Sequence, residues 1–114
     1  MPDDDQFAIE SSADGDVVVL SVSGEVDMAT APELAKAIEL VSDQTRAVVV
    51  DFHAVTFLDS SGLNALVRGQ RALGERGIEL RVVTAAESPV RRVFEITQLT
   101  DSLSVVGSLD EALR

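Results

Sequence analysis

Cysteine is absent from this 114-residue chain, and so are tryptophan and tyrosine. The lack of cysteine excludes disulfides and thiolate chemistry, and it suits a cytoplasmic protein. Phenylalanine occurs only four times, so the chain has no aromatic platform on which nucleic-acid bases would stack. No segment approaches the roughly 20 apolar residues of a membrane-spanning helix, and the first residues do not resemble a secretory signal. We therefore expect a cytoplasmic protein that does not bind membranes.

Positive charge is also scarce, since nine basic residues face 20 acidic ones and the net charge is −11. An acidic surface repels phosphate backbones, so direct nucleic-acid binding is disfavoured and a basic partner is favoured. Three consecutive acids, Asp3 to Asp5, lack the turn chemistry of a metal cage, so we interpret residues 1–6 as an acidic flexible leader. Residues 7–114 are predicted to form a single domain, because 46% hydrophobic residues suffice for a core.

The first third of the chain shows a hairpin followed by a helix. Strands are predicted over Phe7–Glu10 and Val17–Val22, and the Asp-Gly pair that ends at Gly15 favours a tight turn between them. A capping-box pattern at Thr30, with a glutamate three residues later, predicts the start of a helix that runs to about Val41. Apolar residues at helical spacing give this helix a buried stripe.

The remainder alternates between strands and helices. Strands are predicted over Arg46–Phe52, Ile78–Val83 and Leu103–Val106, and the first is apolar without alternation, as in a strand covered on both faces. One helix follows the motif D-S-S-G and ends at Gly77, one is capped by Thr84 or Ser88, and one opens at Ser108. A short helical turn is expected at residues 97–101. The order predicts an α/β domain with a small mixed sheet, an N-terminal hairpin and then parallel β-α units, flanked by helices.

The motif D-S-S-G, residues 59–62, lies at the mouth of a predicted helix. The first amides of a helix lack internal acceptors and carry the positive end of the macrodipole. A cap by Asp59, Ser60 or Ser61 explains the motif structurally. A phosphate on a serine here would add negative charge that the helix end tolerates, which suits a switch. The residues alone leave both interpretations open.

Enzymatic interpretations of the same region are weaker. Asp51 as a phospho-accepting aspartate would need neighbouring acids and a lysine, yet the only lysine, Lys36, lies in another element. We therefore interpret Asp51 as a strand-end acid that makes turn hydrogen bonds. A hydrolase built on Ser61 and His53 lacks the G-x-S-x-G elbow and depends on one loop histidine. No nucleotide-binding glycine motif is present, so a partner would supply any ATP, and we expect no enzyme.

Two blocks, GEVDMATAPEL from Gly24 and VVVDFHAVTFLDSSGLNAL from Val48, resemble the STAS family, specifically the bacterial anti-sigma factor antagonists. The resemblance runs from about Phe7 to Leu113. It implies the STAS fold and a protein that binds an anti-sigma factor which is also an ATP-dependent serine kinase, so that the sigma factor is released. The kinase then phosphorylates the second serine of the motif and binding ends, until a PP2C-type phosphatase restores it.

Matched residue by residue, the resemblance implies that Ser61 is the phosphorylated serine. Asp27 matches the acid that lies near the acceptor, and we expect the two to share one rim of the sheet. The positions expected to shape the docking surface are Asp59, Ser60, Gly62 and Leu63. His53 receives no role. The alternative keeps the fold but not the switch: a constitutive STAS scaffold module of a signalling assembly, in which D-S-S-G is only a cap.

Overall fold

The computed structural model describes residues 6–114, so the aspartates of the predicted leader lie outside the described residues. Five strands form one sheet in the order β1-β2-β3-β4-β5. The strands are β1 (Ala8–Asp14), β2 (Val17–Val26), β3 (Ala47–Leu58), β4 (Glu79–Val83) and β5 (Val105–Val106). β1 pairs antiparallel with β2, and the other neighbours are parallel. The predicted mixed sheet with an N-terminal hairpin is confirmed.

Four helices cover the sheet, and they divide unequally between its faces. They are α1 (Ala31–Glu39), α2 (Ser60–Gly74), α3 (Pro89–Ile96) and α4 (Leu109–Leu113). The first three contribute Leu34, Leu66 and Phe94 to the main core cluster, together with alternate residues of β3. Ala112 of α4 packs in a second cluster with the intervening β3 residues. The apolar run of β3 is therefore covered on both faces, as predicted.

Several turns and caps form where the sequence predicts them. Gly15 adopts a φ of +63° in the hairpin, and Gly77 adopts +73° in the turn after α2. The helix α2 itself ends at Gly74, three residues before the predicted end at Gly77. The Ser88 hydroxyl accepts from the amide of Val90 and caps α3, which decides between Thr84 and Ser88. The Ser108 hydroxyl accepts from the amide of Glu111 at 3.2 Å and caps α4. Local side-chain chemistry therefore fixes these element boundaries.

The capping box at Thr30 does not form. Thr30 occupies the N-cap position of α1, but its hydroxyl makes no cap hydrogen bond to the helix. It accepts from the amide of Asp27 at 2.9 Å and donates to the carbonyl of Glu25 at 2.8 Å. The hydroxyl thus stabilises the turn that precedes α1 and does not cap the helix itself. α1 also ends at Glu39, two residues before the predicted end at Val41.

β3 runs to Leu58, well beyond the predicted end at Phe52, so His53 lies in a strand and not in a loop. Asp51 consequently lies inside the strand, and its interpretation as a strand-end acid is wrong. The predicted helical turn at residues 97–101 is also wrong, because these residues form turns after Gln98 adopts a φ of +61°. β5 is shorter than predicted and begins at Val105.

No helix in the described range, residues 6–114, is both long enough and apolar enough to cross a membrane.

Candidate functional site

The carboxyl ends of β2 and β3 lie side by side. Val26 pairs with Leu58 at the last register position of the two strands. Asp27 and Asp59 are the next residues along each strand, and the amide of Asp59 donates to the carbonyl of Val26 at 3.3 Å. The predicted shared rim is therefore confirmed in the geometry. Two strand-to-helix connections, each opened by an aspartate, meet at this edge of the sheet.

Asp59 caps α2 with its side chain. Its Oδ1 accepts from the amide of Ser61 at 2.9 Å and from the amide of Gly62 at 3.4 Å. The sequence left Asp59, Ser60 and Ser61 as alternative caps, and the structure shows that Asp59 caps the helix. Two of the free amides at this helix mouth are thereby satisfied, and a carboxylate sits at the positive end of the dipole. Neither Ser60 nor Ser61 is therefore needed as the cap of α2.

Asp27 holds the neighbouring connection in a similar way. Its Oδ1 accepts from the amides of Ala29 at 3.0 Å and Thr30 at 3.1 Å. Its backbone carbonyl accepts from the amide of Ala31 at 2.8 Å, at the first residue of α1. Asp27 is half-buried, so part of its carboxylate still faces solvent. The two aspartates therefore fix two adjacent turns and make the rim acidic.

Gly62 and Leu63 lie beneath the surface of the motif. A Cβ added at Gly62 would lie 2.3 Å from Cδ1 of Leu58 and 2.8 Å from Cγ1 of Val26, so only glycine fits without a shift. Leu63 is 7% exposed and belongs to the main core cluster. A role for either residue in partner binding stays a prediction, and their burial means that they would shape the docking surface by seating α2.

Ser61 is the second residue of α2 and is half-buried, whereas Ser60 before it is exposed. The Ser61 hydroxyl makes no hydrogen bond within residues 6–114. Ser61 lines an open groove of about 570 Å³ between α1 and α2. A hydroxyl without an internal partner on an open groove is chemically available as a nucleophile toward a phosphoryl donor that a partner brings.

Comparison with protein families decides where this architecture belongs. The sequence-family model of the STAS domain matches residues 8–112, nearly the whole chain. The chain belongs to the STAS domain family. The resemblance in the blocks around Gly24 and Val48 is thereby confirmed.

Two relatives of this STAS domain are named anti-sigma factor antagonists. The anti-sigma-F factor antagonist RsfB of Mycobacterium tuberculosis is 34% identical over 110 residues, which cover 96% of this chain and 88% of that protein. The anti-sigma-B factor antagonist of Staphylococcus aureus is 33% identical over 98 residues, which cover 85% of this chain and 90% of that protein. The STAS domain thus aligns with both relatives almost end to end.

A solved structure agrees with the fold in detail. The crystal structure of an anti-sigma factor antagonist from Mycobacterium paratuberculosis superposes with a TM-score of 0.85 and 36% sequence identity. The match covers 99% of this STAS domain and 96% of that chain. The strand-to-helix connections that carry Asp27 and Ser61 therefore belong to an architecture shared across the full length of the domain.

Asp51 and His53 form a separate pair in the middle of β3. The Asp51 side chain is buried and accepts from the backbone amide of His53 at 3.0 Å, and it also lies 3.0 Å from His53 Nδ1. The register of β2 and β3 shifts between Ser21 and Ser23, beside these residues. Asp51 therefore satisfies the backbone at this irregularity. In the described part of this STAS domain, no three acidic, histidine or cysteine side chains cluster as metal ligands.

The groove itself was not predicted from the sequence, although a signal for it exists. Met28 and Leu40 line the groove and are 78% and 72% exposed. Neither residue belongs to the buried stripe of α1, which is formed by residues such as Leu34 and Ile38. The signal in the sequence is therefore the presence of large apolar residues outside the buried stripe of α1, which indicates a second apolar surface.

Proposed function

We propose that this chain is an anti-sigma factor antagonist whose unphosphorylated form binds a serine-kinase anti-sigma factor and releases the sigma factor. Phosphorylation of Ser61 by that kinase ends the binding. The observation that carries the proposal is the position of Ser61: a free hydroxyl in the first turn of α2, on an open groove and beside the Asp27 connection. Relatives about one-third identical over most of their length are named anti-sigma factor antagonists, which supports the same conclusion.

The chemistry of the switch follows from the cap. The Ser61 oxygen attacks the terminal phosphorus of ATP held by the kinase, the bond between that phosphorus and the ADP oxygen breaks, and the hydroxyl proton is released to water. The new group carries about −1.5 to −2 charges near neutral pH. Because Asp59 already accepts from the amides of Ser61 and Gly62, those donors are not free to neutralise the phosphate. The added charge is presented to the partner instead.

A phosphate at this rim opposes binding for two reasons. It adds charge to an edge that already carries Asp27 and Asp59, so a carboxylate of the partner at that edge is repelled. Against an apolar group of the partner, the phosphate would lose its water without gaining a counter-charge. Misplaced charge at an interface costs several kcal/mol, and about 1.4 kcal/mol corresponds to a tenfold change in affinity. The switch therefore needs no refolding of the domain.

The other roles in the cycle belong to partners. ATP comes with the kinase, so the chain needs no cofactor of its own, and a PP2C-type phosphatase removes the phosphate from Ser61. The chain acts as a binding protein in the cytoplasm and catalyses no reaction, and it contacts neither nucleic acid nor membrane directly. These assignments rest on the family and on the acidic composition of the chain.

Incubation of the purified protein with the cognate anti-sigma kinase and ATP tests the proposal. Mass spectrometry is expected to find one added phosphate, on the peptide that contains Ser61. Ser61→Ala should remain unmodified, while the matched control Ser60→Ala should be modified like the wild type. Absence of phosphate, or phosphate at another residue, would favour a constitutive scaffold module in which Asp59, Ser60 and Ser61 only begin a helix.

A further inference from the structure

The groove between α1 and α2 has apolar groups at both of its ends. Large exposed hydrophobic side chains are few among residues 6–114: Met28, Leu40, Phe57 and Ile96. Two of these four, Met28 before α1 and Leu40 at its C-cap, line the same groove. The helix α1 between them has nine residues and is therefore roughly 14 Å long, at 1.5 Å per residue. Between them lie the small side chains of Ala31, Ala35 and Ala65.

The two ends of the groove carry side chains of opposite charge. At the rim of the sheet, the Ser61 end lies beside the carboxylates of Asp27 and Asp59. Farther along, Lys36 and Arg68 line the groove, and Glu39 is the one acid among the lining residues. Arg68 follows Ser61 by seven positions on α2, or about 10 Å. The acidic chain thus carries a locally basic end on this surface.

We propose that the groove binds a segment of the anti-sigma factor that places apolar side chains between Met28 and Leu40 and a carboxylate opposite Arg68 and Lys36. This inference rests on the proposed function, because the occupant is the same partner. Beyond the proposed function, the inference specifies the kind of segment that binds and its orientation. The carboxylate of the segment lies at the end of the groove that is remote from Ser61.

Charge repulsion disfavours a second copy of the chain as the occupant of the groove. The net charge of −11 means that two copies repel each other on approach. The groove is also continuous with the proposed phosphorylation site, since Ser61 lines it. A segment that fills the groove must therefore pass the place where the phosphate is added, which makes its binding sensitive to modification.

The apolar part of the proposal is tested with a pair of matched substitutions. Leu40 and Ile96 are each 72% exposed, but Ile96 lies at the end of α3 and does not line the groove. Calorimetric titration with the purified anti-sigma kinase that modifies Ser61 should show that Leu40→Asp weakens binding about tenfold or more. Ile96→Asp should bind within about twofold of the wild type. Circular dichroism verifies that both variants are folded.

The charged part is tested in the same titration. Arg68→Glu should weaken binding about tenfold, since it places like charge opposite the partner's carboxylate. Arg92→Glu changes the charge equally on α3, away from the groove, and should have little effect. A reversal of the partner's acid to lysine should restore binding to Arg68→Glu. Failure of every acid-to-lysine change in the partner to do so would contradict the proposed orientation.

The outcomes separate this inference from the proposed function. If Ser61→Glu loses binding while Leu40→Asp and Arg68→Glu bind like the wild type, the groove is not the docking site and the function stands. If Ser61→Glu binds as tightly as the unmodified protein, the proposed switch fails, whatever the groove variants do. If Leu40→Asp abolishes self-association in sedimentation experiments and leaves kinase affinity unchanged, the occupant is a second copy and the inference is overturned.

Discussion

Gly62 is the residue at which the helix of the D-S-S-G motif comes closest to the sheet. A methyl group there would meet Leu58 at 2.3 Å and Val26 at 2.8 Å. We expect Gly62→Ala to lower the free energy of unfolding by about 1–3 kcal/mol, because the side chains or the first turn of α2 must shift to make room. Urea denaturation of the two proteins measures the difference.

Gly74 provides a control on the same helix. A Cβ at this position would meet no atom within 4 Å, so Gly74→Ala should leave stability unchanged or raise it by up to about 1 kcal/mol through helix propensity. Equal stability of Gly62→Ala and the wild type would show that the close approach at the helix mouth does not require glycine.

The site was predictable from sequence where local chemistry determines it. The D-S-S-G motif and the strand before it sufficed to place Ser61 at a helix mouth, and the family resemblance placed that serine near Asp27. The identity of the cap was not predictable, because Asp59, Ser60 and Ser61 are all suitable residues and only the backbone geometry selects Asp59. The groove also required tertiary structure, since Leu40 and Arg68 lie on different helices and meet only when α1 and α2 pack together.

The end of α1 is tied to the end of α2 by one guanidinium. Arg76 donates to the carbonyls of Glu39 at 3.1 Å and Val41 at 2.6 Å, and it lies 2.8 Å from the carboxylate of Asp43. Its side chain is only 28% exposed. We expect Arg76→Met to lower the free energy of unfolding by about 1–2 kcal/mol, because the last carbonyls of α1 lose a charged donor.

Arg71 on α2 serves as the matched control for this prediction. The Arg71 residue is exposed and its side chain makes no hydrogen bond or ion pair within residues 6–114, so Arg71→Met should change stability by less than about 0.5 kcal/mol. Thermal and urea unfolding of both variants would distinguish the loss of the Arg76 hydrogen bonds from the loss of one positive charge. A similar effect for the two substitutions would contradict the role given to Arg76.

The terminal helix α4 is held to the sheet by a second arginine whose partner titrates. Arg81 donates to the carbonyl of Ala112 and pairs with Glu79 at 3.0 Å. The hydrogen bond from Arg81 lowers the pKa of Glu79 below its ordinary value of 4.5. A lowered pKa in the folded state means that the pair stabilises the fold above about pH 4.5 and that this contribution disappears as the pH falls further.

The corresponding prediction compares Glu79→Gln with the wild type as the pH changes. At pH 7 the variant should be less stable by about 0.5 kcal/mol or less, since the Glu79 side chain is half exposed and the pair is screened by solvent. At a pH low enough to protonate Glu79 in the folded state, which lies below 4.5, the two proteins should unfold at the same urea concentration. A difference that persists unchanged at low pH would show that the ion pair is not its cause.

Element order was predictable from sequence, whereas element ends were less so. Apolar periodicity and caps such as Ser88 and Ser108 are local properties, and they placed the strands and helices in order. The extension of β3 through Asp51 and His53 was not predictable, because a buried acid in a strand is stable only where Asp51 accepts from the His53 amide. The turn at Gln98 was likewise not predictable, because this residue adopts a positive φ and is not a glycine.

At the scale of the whole molecule, the fold is expected to remain unchanged by the switch. The Ser61 hydroxyl makes no internal hydrogen bond in residues 6–114, so a negative group there breaks no existing contact. Repulsion from Asp59 and attraction to the helix dipole oppose each other. Ser61→Asp should therefore unfold within about 0.5 kcal/mol of the wild type, whereas a loss of several kcal/mol would indicate that modification unfolds the helix mouth.

The affinity for the cognate anti-sigma kinase, measured before and after stoichiometric phosphorylation of Ser61, tests the central claim most directly. The account predicts a loss of about a hundredfold or more on phosphorylation, since a misplaced charge at an interface costs several kcal/mol. Removal of the phosphate should restore the original affinity, and Ser61→Ala should bind tightly throughout. Equal affinity of the phosphorylated and unmodified proteins would contradict the account.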